Sequence, residues 1–196
     1  GGDDPFARAL GELRELPRPE RDQRITQLTG EEQLTKWQSQ QLRRHDPLQL
    51  ILDKRFLLLE PVARGGMGIV YRAFDLDSDQ TVAIKAPHTR VSNKERRLAR
   101  FRREISISSN LRHPHIVPVR NIGRGLRFLV FDFIEGLSIG ELILHHGPQD
   151  PRDVARWISD IADALAYAGT MGVIHRDIKP SNIMVTEQNS AMLLDL

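Results

Sequence analysis

An acid, a cation and an amide fall within six residues at Asp177, Lys179 and Asn182, on the stretch Val173-Ile174-His175-Arg176-Asp177-Ile178-Lys179-Pro180-Ser181-Asn182-Ile183-Met184-Val185. The stretch is polar between apolar ends and Pro180 stiffens it, so it reads as a loop. A carboxylate can orient an attacking hydroxyl, an ammonium can steady a phosphate in transit, and an amide oxygen can hold a metal ion. Together they suit phosphoryl transfer.

Such a loop needs elements to hold it. After it, Ile183-Met184-Val185, a turn at Glu187-Gln188-Asn189-Ser190 and the apolar run from Ala191 predict a hairpin ending at Asp195. Before it, Asp150 can cap a long helix with Pro151 at its first position. Val154, Trp157, Ile161, Leu165 and Ala168 keep helical spacing, and Gly172 ends it. A short helix covers about 139–146; His145 and His146 are adjacent and cannot share its face, so no metal site is expected there. Further upstream the pattern is of β type. Strands are expected over 55–63 and 68–74, with Arg64-Gly65-Gly66-Met67 between them, and over 81–85 before Pro87. Two more are expected over 117–122 and 127–133. Ser92-Asn93-Lys94-Glu95 reads as a capping box opening a helix to about Leu111, with Leu98, Phe101, Ile105 and Ser108 on one face. Residues before about Asp46 read as helices only. Phe6, Leu10, Leu13 and Leu16 share one face, Ile25 and Leu28 mark a second helix, and Thr29-Gly30-Glu31-Glu32 reads as a capping box opening a third with Leu34 and Trp37 inside. These stripes are expected to pack on the domain next in the chain.

His175 to Asn182 resembles the catalytic loop H-R-D-x-x-x-x-N of protein kinases at every fixed position. Ala63-Arg64-Gly65-Gly66-Met67-Gly68-Ile69-Val70 is similar to the family's G-x-G-x-x-G-x-V, with Ala63 in the first glycine position, and Val82-Ala83-Ile84-Lys85 matches V-A-I-K. His113-Pro114-His115-Ile116-Val117 resembles H-P-N-I-V with His115 in place of asparagine. The nearest likeness is to bacterial eukaryotic-like (Hanks-type) serine/threonine kinases, whose glycine loop often reads G-G-M-G. The resemblance implies an α+β fold: a five-stranded antiparallel N-lobe with helix αC, the first, mainly helical part of a C-lobe, and a helical appendage in front. It implies boundaries at 1–47 for the appendage, 48–133 for the N-lobe and 134–196 for the hinge and partial C-lobe. By the same resemblance Lys85 contacts phosphates and Glu104 pairs with it, although on periodicity alone Glu104 is a surface carboxylate beside Arg100 or Arg103. Gly65, Gly66, Gly68 and Val70 line the nucleotide, Ala83 leaves room for adenine, and the backbone of Asp132, Phe133 and Ile134 meets it, with Glu135 near the ribose. Asp177 orients the hydroxyl, Lys179 stabilises the phosphate, and Asn182 and Asp195 hold Mg2+, with Leu196 where the family has phenylalanine. ATP and a protein with a serine or threonine acceptor are the implied partners.

With 28 Lys and Arg against 26 Asp and Glu, the net charge is only +2, which gives no reason to expect a nucleic-acid partner. The basic run of Arg90, Lys94, Arg96, Arg97, Arg100, Arg102 and Arg103 lacks interleaved aromatics and reads as a wet helix face. No cysteine is present, so disulfides and thiolate metal sites are excluded. No apolar run approaches the roughly 18 residues that span a bilayer; the expected location is the cytoplasm, with a parent protein that could still be anchored. The sequence stops at Leu196 without an activation segment or A-P-E, so it reads as a fragment, inactive by itself. Ile161, Leu165 and the last strand are then expected to be exposed and to favour pairing or exchange between copies. The rival reading is a pseudokinase or ATP-binding scaffold.

Overall fold

The computed structural model describes residues 5–44, 47–65, 68–87 and 110–195. The expected helix from Ser92, with Glu104, and the residues Gly66 and Leu196 lie outside them. The chain divides into two compact units, Gly1–His88 with Gly123–Val130, and Thr89–Ile122 with Phe131–Leu196.

The first unit opens with three helices, α1 (Pro5–Glu15), α2 (Arg18–Gly30) and α3 (Lys36–Leu42). Pro17 and Pro19 do more than end α1. With its fixed φ, Pro19 sits in the first turn of α2, where its missing N–H costs nothing. The capping box expected at Thr29 is not there: Thr29 closes α2, donating its hydroxyl back to Ile25 O at 2.6 Å, and Glu32 turns the chain at φ +58°. The box forms six residues later, at Thr35 and Gln38. Leu10, Leu13, Ile25, Leu28, Leu34 and Leu42 make one core with Leu50 and Leu57, so the helical stripes do pack on the segment after them.

Four strands continue the unit: β1 (Ile51–Leu52), β2 (Phe56–Arg64), β3 (Gly68–Asp75) and β4 (Gln80–Pro87), antiparallel in that order. The two-residue β1 is an addition to the expected set. Ala73, Val82, Ile84, Phe128 and Val130 fill the core beneath one sheet face. At the β3–β4 turn Asp75, 4% exposed, takes both arms of Arg55 at 2.6 and 2.7 Å, the Ser78 hydroxyl at 2.8 Å and the Asp77 N–H at 3.1 Å. Arg55 holds the Asp75 carboxyl down at about 2, against burial, which raises it, and with help from Ser78 and Asp77.

The second unit carries β5 (Val119–Ile122), the end of β6 (Leu129–Asp132), then β7 (Gly136–Ser138), α4 (Ile139–His146), α5 (Pro151–Thr170), β8 (Ile183–Thr186) and β9 (Ala191–Leu193). Ser138 and Glu141 form a capping box on α4, and Asp150 caps α5 from Oδ1 to the Arg152 N–H at 2.7 Å. β7, β8 and β9 form an antiparallel sheet that shares a core with Trp157, Ile161 and Ala164 of α5. That packing overturns one expectation. Ile161 is 5% and Leu193 1% exposed, because the β8–β9 hairpin lies on α5; the exposed large apolar residues described in this unit are instead Ile143, Leu144, Ile158, Met171, Ile174 and Ile178. Among the described residues no helix is long and apolar enough to cross a membrane.

Candidate active site

In the second unit, α5 ends with Gly172 at φ +73°, and the Val173 N–H returns to Ala168 O at 2.9 Å, which starts the loop from a fixed point. His175 is buried. Its Nδ1 accepts the Asp177 N–H at 3.2 Å and its Nε2 lies 2.8 Å from Leu194 O. A carbonyl only accepts, so the ring carries its proton on Nε2. Arg176 between them adopts φ +65°, a left-handed conformation that turns the chain sharply and lets His175 face inward while the Asp177 side chain stays 63% exposed.

Lys179 Nζ donates to Asp177 Oδ2 at 2.7 Å, and Asn182 Nδ2 donates to Asp177 O at 2.9 Å and Oδ2 at 3.2 Å. Lys179 chiefly, and Asn182 behind it, hold the Asp177 carboxyl below the usual carboxylate range, opposed by some desolvation. Both side-chain bonds fall on Oδ2. Among the described residues, Oδ1 is therefore the oxygen left to meet an incoming donor. Asn182 is buried at 8%, and its carbonyl accepts the Leu194 N–H at 2.9 Å. Leu194 is thus bracketed, N–H by Asn182 and carbonyl by His175. Asp195, the next residue, is delivered beside the loop at φ +58°.

With Nδ2 of Asn182 engaged, its Oδ1 is the side-chain atom that could ligate a metal, and Asp195 could add carboxylate oxygens. Hard oxygen ligands in that small number fit Mg2+, which completes its shell with water and phosphate oxygens.

In the first unit the strand register places Ala63 opposite Val70 and Val70 opposite Lys85, with Ala83 two residues away on the same face. That face is opposite to the one that presents Val82 and Ile84 to the core. Lys85 is 4% exposed, so it is not the solvated lysine that a strand usually carries. The turn after β2 is closed by the Gly65 N–H to Gly68 O at 3.0 Å. Gly68 has a second reason to be glycine: a Cβ there would run into the Ala86 carbonyl of β4. In the second unit β6 ends at Asp132, ion-paired with Arg120, and Phe133, Ile134 and Glu135 lead irregularly into β7.

Several residues position the hairpin in ways the sequence does not announce. Trp157 Nε1 donates to Asn189 Oδ1 at 2.8 Å, Asn189 Nδ2 donates to Asp153 at 2.8 Å, and the Ala191 N–H donates to Asp160 at 2.9 Å. His115 Nδ1 lies 2.9 Å from Ala191 O, with its Nε2 3.6 Å from Asp160. These contacts seat the β8–β9 hairpin on α5 and so fix Leu194. Their signal was the spacing of Asp153, Trp157 and Asp160, which puts all three along one side of α5.

The sequence model of the family described as protein kinase domain matches residues 56–196. Serine/threonine-protein kinase PknL of Mycobacterium tuberculosis is 36% identical over 153 residues, covering 76% of this chain and 38% of PknL. Serine/threonine-protein kinase PrkC of Bacillus subtilis is 34% identical over 146 residues, 74% of this chain and 22% of PrkC. The probable serine/threonine-protein kinase pknA2 of Bifidobacterium longum is 35% identical over 156 residues, 77% of this chain and 20% of its own length. The chain thus spans between a fifth and two fifths of these relatives.

Proposed function

Because this chain belongs to the protein kinase domain family, we propose that it is the part of a bacterial serine/threonine kinase that binds Mg-ATP and directs its γ-phosphoryl group to a protein hydroxyl. The observation that carries this reading is the Asp177 carboxylate with one oxygen tied to Lys179 and Asn182 and the other open among the described residues. An acceptor hydroxyl donates to Oδ1, which aims its oxygen at phosphorus. A carboxylate held below its usual range is a weak base, so it takes the proton late, as suits a loose transition state. Lys179 reaches the transferred phosphate from the same side. Asn182 and Asp195 would hold Mg2+, which when bound neutralises charge developing on the phosphates. Lys85 sets the α- and β-phosphates, with Glu104 as its partner. Gly65, Gly66 and Gly68 offer backbone N–H groups, and the backbone of Asp132 to Ile134 receives adenine, with Glu135 toward the ribose.

The matched relatives are much longer, and we propose that the 196 residues alone transfer little phosphate. The proposed setting is the cytoplasm, where ATP is. Ile174 and Ile178, 73% and 53% exposed, are candidates for contact between copies; a monomer in light scattering at high concentration would refute that. The function is tested in a chain extended past Leu196. Asp177→Asn should lower labelling of an acceptor protein from γ-labelled ATP by about 10²–10⁴-fold, the usual worth of a positioned acid or base, and leave nucleotide binding intact. Transfer at the unsubstituted rate would overturn the assignment.

A further inference from the structure

The three N-terminal helices precede residue 56, where the family match begins. Their last helix starts with a capping box whose groups also work outside it. The Thr35 hydroxyl accepts the Gln38 N–H at 3.1 Å and donates its one proton to Leu59 O at 2.7 Å. The Gln38 amide accepts the Thr35 N–H at 2.8 Å through Oε1 and donates to Leu58 O at 2.8 Å through Nε2. Gln38 is 1% exposed, and these bonds fix which way its amide points. In a regular strand successive carbonyls point to opposite edges, so one helix end could not take both. β2 is irregular at this place. Its register with β3 shifts between Leu58 and Glu60 and again between Pro61 and Ala63. A bulge bends its strand and turns backbone groups off the ladder. Here the turned carbonyls land on the helix cap. Trp37, between the two capping residues, lies against Tyr71 at 5.6 Å between ring centroids, and Tyr71 pairs with Pro61 across the ladder. β1 pairs with β2 only at Phe56 and Leu57, so α3 takes over where β1 stops.

We infer that the N-terminal helices are a positioning element for the nucleotide-binding hairpin: Thr35 and Gln38 hold the bend in β2 that carries the chain into Ala63–Gly68. This rests on the proposed function for the hairpin's role, but the bend itself can be measured without it. The cap and the bridge separate at Thr35. Thr35→Asp keeps a good helix cap and removes the proton given to Leu59, whereas Thr35→Ser keeps both. Hydrogen exchange of the amides of Leu59, Glu60 and Val62 to Gly65 should quicken by about tenfold in Thr35→Asp, the order expected for one lost hydrogen bond. The amides of α3 should stay as they were, and Thr35→Ser should match the unsubstituted chain. Affinity for a fluorescent ATP analogue with Mg2+, measured well below melting, should weaken several-fold in Thr35→Asp alone. A helix that merely adds stability would move melting and leave affinity untouched. Unchanged exchange over 59–65 would overturn the inference, as would faster exchange with unchanged affinity. Failure of every form to bind nucleotide, with exchange altered as expected, would sink the proposed function and leave the brace standing.

Discussion

Asp75 and Asp177 are both aspartates with a basic partner close in sequence or space, and they are used in opposite ways. Asp75 is buried at the β3–β4 turn and accepts four hydrogen bonds, two on each oxygen. Asp177 is exposed, and its side chain takes two bonds on one oxygen. Saturation marks the first as scaffold: nothing is left with which to meet a ligand. The second is aimed by its neighbours and, among the described residues, kept partly unsatisfied, which suits a group that must accept from a substrate. The N-terminal cap belongs with the first kind, since every polar group of the Gln38 amide is used inside the protein.

The sharpest way to break this contrast is to neutralise each carboxylate without changing its shape. Asp75→Asn leaves the Arg55 guanidinium only the more exposed Asp77 carboxylate, 3.2 Å away, and should cost about 2 kcal/mol, the worth of a carboxyl depressed by nearly two pH units. At this chain length that lowers melting by roughly 4–8 °C. Asp177→Asn should leave melting and the urea midpoint where they were. Equal losses from the two substitutions would show that Asp177 is also structural.

The parts of this molecule that were legible in its sequence are those whose residues are contiguous. The loop from His175 to Asn182 and the run Val82–Lys85 announce themselves, and Asp150-Pro151 marks the start of α5 to the residue. The capping box was misplaced because Thr29-Gly30-Glu31-Glu32 and Thr35-Lys36-Trp37-Gln38 both have the right spacing. Only the tertiary partners of the second, Leu58 O and Leu59 O, decide between them. Asp75 is not legible locally for a similar reason: Arg55 is twenty residues away, joined to it by strand register. The bracketing of Leu194 by His175 and Asn182 likewise depends on how a hairpin returns, which local pattern does not record.

A smaller effect is expected in acid. The folded carboxyl of Asp75 sits at about 2, below its ordinary 3.8. Its contribution is therefore complete above the unfolded value and is lost as pH falls from about 4 through about 2. The difference in urea midpoint between the unsubstituted chain and Asp75→Asn should be constant from pH 7 to 5, shrink through pH 4 and 3, and be largely lost by about 2. A difference that persists undiminished at pH 2 would mean that the substitution acts through shape and not charge.

The smallest expected effect concerns the other carboxylate. Lys179 is the chief reason that the Asp177 carboxyl lies below the usual range, and Asn182 contributes less. Lys179→Met should therefore let that value rise part of the way back. In a chain extended past Leu196, the acid limb of kcat/KM reports the free enzyme's essential base, so the limb should move to higher pH. The sign is set by which form is favoured: removing a nearby cation disfavours the ionised carboxylate, so a higher pH is needed to produce it. The rate at neutral pH should fall as well, because Lys179 is also proposed to meet the phosphate, but that loss alone would not move the limb. A reduced rate with an unmoved limb would leave Lys179 as a phosphate ligand and remove it as the group that tunes Asp177. The carboxylate would then be aimed by Asn182 and the His175 contact to its backbone alone.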